Sequence, residues 1–204
     1  MLFVATKQPL YLILGAAVGV CAAVAAYKIF SHVQVRVQAW RDPWPIFSGR
    51  GNQIGNSLFG ISTGGWFGMG LYGGLPGKIP VVEEDFIFAA ICEELGGITG
   101  ICVILVYLSC LLMFFRVAGE LYLPFYQLTG VGLATIFGVQ VFLTIGGSIK
   151  FIPSTGVTLP LVSYGANSVL STMIIFGIMQ ELYIKHQNEV ERIAIPLGRN
   201  ENQP

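Results

Sequence analysis

The chain has 204 residues, of which 54% are hydrophobic and 11% are charged, whereas a soluble domain carries roughly 25% charged residues. This composition excludes a disordered chain and argues against a water-soluble globule. Eleven basic and eleven acidic residues give a net charge of zero, which leaves no excess positive charge for a nucleic-acid backbone, so no nucleic-acid partner is expected.

The first residues, 1–6, are apolar but too few to cross a membrane, because six helical residues rise only about 9 Å. We interpret them as the end of a transmembrane helix whose beginning is absent, in a fragment or behind a misplaced start codon. A signal peptide is the alternative, but no basic stretch precedes these residues and no small-residue cleavage site follows them.

Four long stretches between charged residues contain no charge at all. Each reaches the roughly 20 apolar residues that a helix needs to cross a bilayer. They predict four complete transmembrane helices, at 9–28, 86–115, 127–149 and 165–184. The expected fold class is therefore an all-α, multi-pass integral membrane protein with a partial helix at its N-terminus.

The segment 29–85 is long and contains tryptophans, phenylalanines and glycine clusters. It is too long for a turn, and its aromatic content is typical of ordered chain at a membrane surface. We expect an ordered, partly re-entrant cap on the membrane. The polar tail, 185–204, is expected to fray.

A glycine run within this segment, from Ser62 to Gly74, contains G-x-G-x-x-G at Gly68, Gly70 and Gly73. A dinucleotide site would need a flanking βαβ unit, which the sequence lacks. Two interpretations remain. The glycines allow either close backbone packing or contact of backbone N–H groups with a phosphate.

Acidic residues lie before and inside the second predicted helix. Asp85 directly precedes it, where a carboxylate is stabilised by the helix dipole. Glu93 and Glu94 lie about two turns further on, where an ionisable group costs at least about 2.5–3.5 kcal/mol and usually faces a cavity or a partner. At 100° per residue, Asp85 and Glu93 fall about 80° apart, so we expect them to share a cavity, with Glu94 directed at a neighbouring helix.

The segment 150–164 begins with Lys150 and interrupts the helical pattern with Pro153, Gly156 and Pro160. Broken backbone at membrane depth is tolerated where it is buried in protein or lines a cavity. A short re-entrant loop is predicted, with a simple hairpin turn as the alternative.

No metal site is predicted. The four cysteines lie in apolar runs, where cysteine behaves as a small hydrophobic residue, and His32 and His186 are isolated.

Three blocks of uncommon residues occur in order along the chain. The first is RVQAWRDPW from Arg36, followed by Gln53 and the glycine run; the second is DFIF from Asp85, followed by EELG from Glu93; the third is PSTGVTLPLVSYG from Pro153. Together they resemble the SEDS family of bacterial cell-wall proteins, the FtsW/RodA/SpoVE group, from the first residues to about residue 184.

The resemblance implies the C-terminal half of a fold of about ten helices in the bacterial cell membrane. Segments 29–85 and 150–164 would be extracellular, and the tail would be cytoplasmic. The implied activity is that of an inverting glycosyltransferase that polymerises lipid II, the undecaprenyl-pyrophosphate disaccharide-peptide, during cell division, elongation or sporulation. The implied partners are a class B penicillin-binding transpeptidase and membrane lipid. No cofactor is required, and a divalent cation would accompany the pyrophosphate.

Carried over to this sequence, the resemblance makes Asp85 the catalytic general base. Further residues are expected to bind substrate: Arg36, Trp40, Gln53, Glu93, Lys150, Pro153, Gly156 and Ser163. Three other basic side chains are candidates for the pyrophosphate on physical grounds, because cations bind phosphate oxygens: Arg41, Arg50 and Lys78.

The sequence departs from the family pattern at two places. Ala166 and Asn167 follow the third block where glycine and serine are usual, and Glu84 stands where threonine is common. A second negative charge beside Asp85 would raise the pKa of Asp85 if both groups are buried. Two other functions remain open: a lipid II flippase, because intramembrane carboxylates also mark transport pathways, and an inactive truncated remnant.

Overall fold

The computed structural model describes residues 8, 10–49 and 51–199. All regular structure in these ranges is helical, and it comprises six α-helices with two short 3-10 turns, at Trp44–Ile46 and Pro76–Lys78. The helices are α1 (Leu10–Ile29), α2 (Ser31–Arg41), α3 (Gly51–Gly64), α4 (Ile87–Glu120), α5 (Pro124–Ser148) and α6 (Ala166–Arg199). The predicted helix end at 1–6 lies outside the described residues.

Three helices in the described part of the chain are long and apolar enough to cross a membrane: α4, α5 and the Ala166–Asn188 part of α6. A fourth crossing requires α1 and α2 together, which are bent by 102° at the break between them. The predicted all-α membrane fold is confirmed. The span expected at 9–28 corresponds to α1, Leu10–Ile29.

Two helices continue beyond their predicted ends. Helix α4 ends at Glu120 rather than at 115, because Arg116 and Glu120 form an i,i+4 ion pair of 3.0 Å across its last turn. Helix α6 continues to Arg199, so the described part of the tail is helical instead of frayed. Good helix formers favour a helix over 185–194, and propensity does not explain its continuation through Pro196 and Gly198.

The core is built where α4, α5 and α6 meet. Phe114, Phe137 and Phe176 contribute one ring from each helix, with ring centroids 5.0 to 5.8 Å apart. Edge-to-face contacts of this kind add to the free energy of apolar burial. A smaller buried cluster joins Ala39 of α2 and Ile54 of α3 to Phe86, the residue after Asp85. This cluster fixes the start of α4 against α2 and α3.

A break in α4 changes the direction of its first turns. Gly96 has φ 88° and ψ 167°, which are not helical angles. A Cβ atom at Gly96 would collide with the carbonyl oxygen of Trp66, so the glycine is required here. The break therefore exists because another part of the backbone lies directly against it.

Candidate functional site

Four separate parts of the chain line a cavity of about 180 Å³ beside the start of α4. Arg36 lies on α2, Gln53 on α3, and Asp85 two residues before α4, while Ser154 belongs to the segment 150–164. Ala39 and Ile54 supply apolar wall. The cavity thus combines one carboxylate, one guanidinium and two neutral polar side chains.

The side chains of Asp85 and Arg36 both lie close to Gly156. A Cβ atom on Gly156 would lie 3.5 Å from Asp85 Oδ2 and 3.4 Å from Arg36 Nη2. Gly156 has φ 76°, a conformation that other residues rarely adopt. Arg36 Nη1 also donates a hydrogen bond of 3.0 Å to the carbonyl oxygen of Ser154. The segment 150–164 is therefore fastened to α2 and places its glycine between the two charges.

Two serines hold the backbone of Asp85. The hydroxyl of Ser148, at the end of α5, lies within hydrogen-bond distance of two carbonyl oxygens, that of Thr144 at 3.0 Å and that of Asp85 at 3.3 Å, and shares its one proton between them. Ser57 of α3 donates to the carbonyl oxygen of Ser148 at 2.8 Å, and both serines are buried. The main chain at Asp85 is thereby linked to α3 and α5. The sequence does not predict Ser148 as a site residue, and its place at the end of a charge-free helix is the only signal that could have indicated it.

Ser163 is buried, and its hydroxyl makes two hydrogen bonds to the backbone. Its hydroxyl oxygen accepts the backbone N–H of Leu159 at 2.8 Å and donates to the carbonyl oxygen of Glu84 at 2.5 Å. The N–H of Tyr164 donates to the carbonyl oxygen of Glu83 at 2.8 Å. These bonds fasten the segment 150–164 to the residues just before Asp85. In this structure Ser163 therefore positions the site and does not line its cavity.

The surroundings of Asp85 raise its pKa. Burial raises the pKa of Asp85 above the ordinary value of 3.8, and the charge of Glu84 raises it further. The guanidinium of Arg36 acts in the opposite direction. The condition for the predicted effect of Glu84, burial of both carboxylates, is not met, because the Glu84 side chain is exposed and that of Asp85 is partly buried.

The other predicted residues of this region lie around the cavity without lining it. The indole N–H of Trp40 donates to the carbonyl oxygen of Lys150 at 3.1 Å, so these two residues meet through the Lys150 backbone. Pro153 is partly buried and adjoins Ser154, and Arg41 is exposed. Arg50 lies outside the described residues.

The expectation that Asp85 and Glu93 share a cavity is wrong. Glu93 lines a different cavity together with Lys78, and neither residue lines the cavity of Asp85. Glu94 does not reach a neighbouring helix: its Oε1 accepts the backbone N–H of Tyr72 at 3.2 Å. Asp85 lies outside α4, which begins at Ile87, and Phe86 between them has non-helical angles, so the rotation of an ideal helix does not relate Asp85 to Glu93.

The glycine run lies along this break, as the close-packing interpretation requires. The N–H groups of Met69 and Gly70 donate to the carbonyl oxygens of Glu93 and Glu94, each at 3.0 Å, and Gly97 donates to Gly65 at 2.8 Å. Glycine at these positions allows main chain to pair with main chain. Within the glycine run, the backbone N–H of Tyr72 donates to an anion of α4, the carboxylate of Glu94.

The described residues contain no group of three or more His, Cys, Asp or Glu side chains that could hold a metal ion.

The sequence matches the family model of FtsW, RodA and SpoVE, described as cell cycle protein, over residues 1–188. It is 36% identical over 182 residues to the peptidoglycan glycosyltransferase RodA of Mycobacterium tuberculosis, covering 89% of this chain and 39% of the relative. It is 33% identical over 175 residues to the probable peptidoglycan glycosyltransferase FtsW of Bacillus subtilis, covering 82% and 43%.

A solved structure has the same fold. It is described as "Structural coordination of polymerization and crosslinking by a peptidoglycan synthase complex", and it matches with a TM-score of 0.70 and 25% identity over 91% of this chain and 51% of that one. The chain spans about two fifths of the length of the RodA and FtsW relatives. The family match, the two relatives and the common fold lead to one conclusion: the chain belongs to the FtsW/RodA/SpoVE family of multi-pass membrane proteins.

Proposed function

We propose that this chain carries the catalytic carboxylate of a glycosyltransferase that polymerises lipid II into peptidoglycan strands. The observation that carries the proposal is the meeting of Asp85 and Arg36 at Gly156, beside an open cavity. A carboxylate base and a guanidinium cation beside the same residue suit a reaction in which a hydroxyl loses a proton while a pyrophosphate leaves. The relatives named as peptidoglycan glycosyltransferases support the same activity.

In the proposed reaction, Asp85 removes the proton from the 4-hydroxyl group of the acceptor sugar. The hydroxyl oxygen forms a bond to the anomeric carbon of the donor, and the bond from that carbon to the pyrophosphate oxygen breaks. Undecaprenyl pyrophosphate leaves with the electron pair, and the configuration at the anomeric carbon is inverted. A raised pKa makes ionised Asp85 a stronger base, which suits general-base catalysis.

Arg36 is the residue proposed to bind the pyrophosphate. One guanidinium nitrogen is used by the carbonyl oxygen of Ser154, which fixes the plane of the group. The remaining N–H groups are available for phosphate oxygens, for which the planar fork of arginine is well suited. Gln53, across the cavity, offers an amide that can bind sugar hydroxyls. No cofactor held by the protein enters this scheme, and a divalent cation would arrive with the pyrophosphate.

The proposal extends to location and partner. The protein would lie in the bacterial cell membrane with the segment 29–85 outside and the C-terminus in the cytoplasm. A class B penicillin-binding transpeptidase would crosslink the new strands. The description of the solved neighbour, a complex that coordinates polymerisation and crosslinking, supports a partner of this kind.

The test compares Asp85→Asn with Glu83→Gln in the protein purified from the membranes of its own cells. Glu83 is an exposed carboxylate two residues away, and its backbone contact with Tyr164 survives the substitution. Glycan strands formed from lipid II are measured by gel. Asp85→Asn is expected to lose about 10²- to 10⁴-fold in rate, the usual contribution of a general base. Equal rates for the two variants would overturn the proposal.

A further inference from the structure

A second cavity, of about 340 Å³, lies between α3, the glycine run and the 3-10 turn at Pro76–Lys78. Neither Asp85 nor Arg36 lines it. The residues that the argument uses are Asn56, Phe59, Gly60, Gly74, Lys78 and Glu93. Both cavities use side chains of α3, Gln53 and Ile54 for the first and Asn56, Phe59 and Gly60 for the second.

Glu93 supplies a buried carboxylate to this cavity, with only 6% of its surface exposed. Its Oε1 accepts the backbone N–H of Leu75 at 2.8 Å, while Oε2 receives no hydrogen bond from the described residues. Oε2 lies 3.1 Å from the place of a Cβ on Gly60, and Oε1 lies 3.0 Å from the place of one on Gly74. Oε2 is not among the buried polar atoms that lack a partner, so it is open to solvent and can accept a hydrogen bond from a ligand in the cavity.

Lys78 gives the cavity a balancing charge. Its side chain is exposed, and no carboxylate of the described residues lies within 4 Å of its ammonium group. The cavity therefore holds one anion and one cation that are not paired with each other. A charged ligand would be attracted by one group and repelled by the other, whereas a neutral ligand with hydroxyl and amide groups can bond to both.

An aromatic side chain stands at the edge of the cavity. Phe59 is 53% exposed, and its ring is tilted against that of Trp44 with centroids 5.6 Å apart. Asn56, on the same helix, donates its amide N–H groups to Asn52 and to the carbonyl oxygen of Lys78, so its amide oxygen is the group that faces a ligand as an acceptor. An apolar ring face beside a carboxylate, an amide and an ammonium matches a sugar ring, which has an apolar C–H face and a hydroxyl-bearing edge.

We propose that this second cavity is a saccharide subsite that binds a neutral N-acetylated hexosamine of the glycan strand, away from the sugars that react at Asp85. The proposal rests on the proposed function, because it assigns the ligand from the product of that reaction. Eight residues separate Asp85 from Glu93, a distance on the order of 12 Å along a helix. A strand held at both cavities would extend over several sugar rings.

The test measures binding of β-1,4-linked N-acetylglucosamine tetrasaccharide to the purified membrane protein by titration calorimetry. Glu93→Gln is expected to raise the Kd at least about tenfold, because it removes a hydrogen bond to a charged group. Phe59→Ala is expected to raise it about threefold or more. Phe67→Ala is the matched control, since Phe67 is an exposed aromatic of the neighbouring glycine run that does not line the cavity; its Kd is expected to stay within about twofold of the unaltered protein.

Several outcomes would overturn the subsite. The proposal is wrong if the unaltered protein does not bind the tetrasaccharide, or if Phe59→Ala and Phe67→Ala bind it with the same Kd. It is also wrong if a lysine-containing tripeptide binds more tightly than the tetrasaccharide. Phe59 is exposed, so its variant keeps the test decisive even if Glu93→Gln fails to fold. Failure of the proposed function appears instead as full polymerisation by Asp85→Asn, so the two failures can be told apart.

Discussion

Ser57 and Ser148, 91 residues apart in the chain, are joined by a hydrogen bond of 2.8 Å from the Ser57 hydroxyl to the Ser148 carbonyl oxygen. Ser148 in turn donates to the carbonyl oxygen of Asp85. Substitution Ser57→Ala leaves a buried acceptor without its donor, which costs about 1–3 kcal/mol. We expect a lower Tm in thermal unfolding of the purified protein. Ser171→Ala, which removes an exposed hydroxyl bonded within its own helix, is the control and should leave the Tm nearly unchanged.

Gly156→Ala should damage the site directly. The substitution forces alanine to adopt φ 76°, while its Cβ would make only ordinary contacts with Asp85 and Arg36, so the damage comes from backbone strain beside the two charges. The conformational strain alone is about 1–2 kcal/mol. We expect the rate of lipid II polymerisation to fall at least about tenfold. Gly165→Ala, in ordinary contact with Thr158 and Ser168, should retain activity. Equal activity of the two variants would contradict the placement of Gly156 in the site.

The activity should depend on pH through the ionisation of Asp85. A general base works when ionised, so kcat/KM should rise with pH, with its acid midpoint above 3.8. Substitution Glu84→Gln removes a charge that raises this pKa, so the midpoint should move to lower pH. Glu83→Gln is the control, because Glu83 is not among the groups that shift Asp85. A midpoint unmoved by Glu84→Gln would contradict the assignment.

The raised pKa of Asp85 should also make the folded protein less stable as pH rises, whereas activity should increase with pH. Because the folded-state pKa of Asp85 lies above 3.8, the folded protein holds this proton more tightly than the unfolded chain. Its contribution to stability is therefore present below the unfolded pKa and is lost as pH rises through the folded pKa. In Asp85→Asn this contribution should disappear from the pH dependence of the Tm. An unchanged pH dependence of the Tm would show that the pKa of Asp85 is the same in the folded and unfolded protein.

Gly96→Ala should destabilise the protein through main-chain contact. A Cβ at this position collides with the Trp66 carbonyl oxygen, and φ is 88°. Gly119→Ala provides the control in the same helix, since its Cβ would meet nothing within 4 Å. Alanine at that position should be neutral or stabilising by up to about 1 kcal/mol. Thermal unfolding of both variants checks the comparison.

The sequence is informative where structure depends on local hydrophobicity. Charge-free runs predict the positions of α4, α5 and α6 because membrane crossing depends on length and apolarity. Helix ends are less predictable, since the Arg116 and Glu120 pair extends α4 past its apolar stretch. The family resemblance, rather than periodicity, indicates Arg36, Gln53 and Asp85 as site residues, and the structure does bring these three residues to one cavity.

The remaining features of the site depend on contacts between distant parts of the chain. Arg36 bonds to Ser154 across 118 residues, a partner that no local pattern indicates. Ideal helical rotation misplaces Glu93 relative to Asp85, because Asp85 precedes α4 and the non-helical angles of Phe86 separate it from the helix. The resemblance assigns Ser163 to substrate, but its hydroxyl is already bonded to Leu159 and Glu84. Hydrogen bonding of buried polar groups is decided by the assembled fold.

The fastening of segment 150–164 to α2 and to the residues before Asp85 also determines when the site is completed during synthesis. Arg36 and Asp85 leave the ribosome well before Ser154 and Gly156, and domains are made from the N-terminus onwards. Until α5 has been inserted and the following segment translated, the base and the cation have no common contact. The chemistry of the site is therefore assembled late in translation, after most of the membrane helices are already in place.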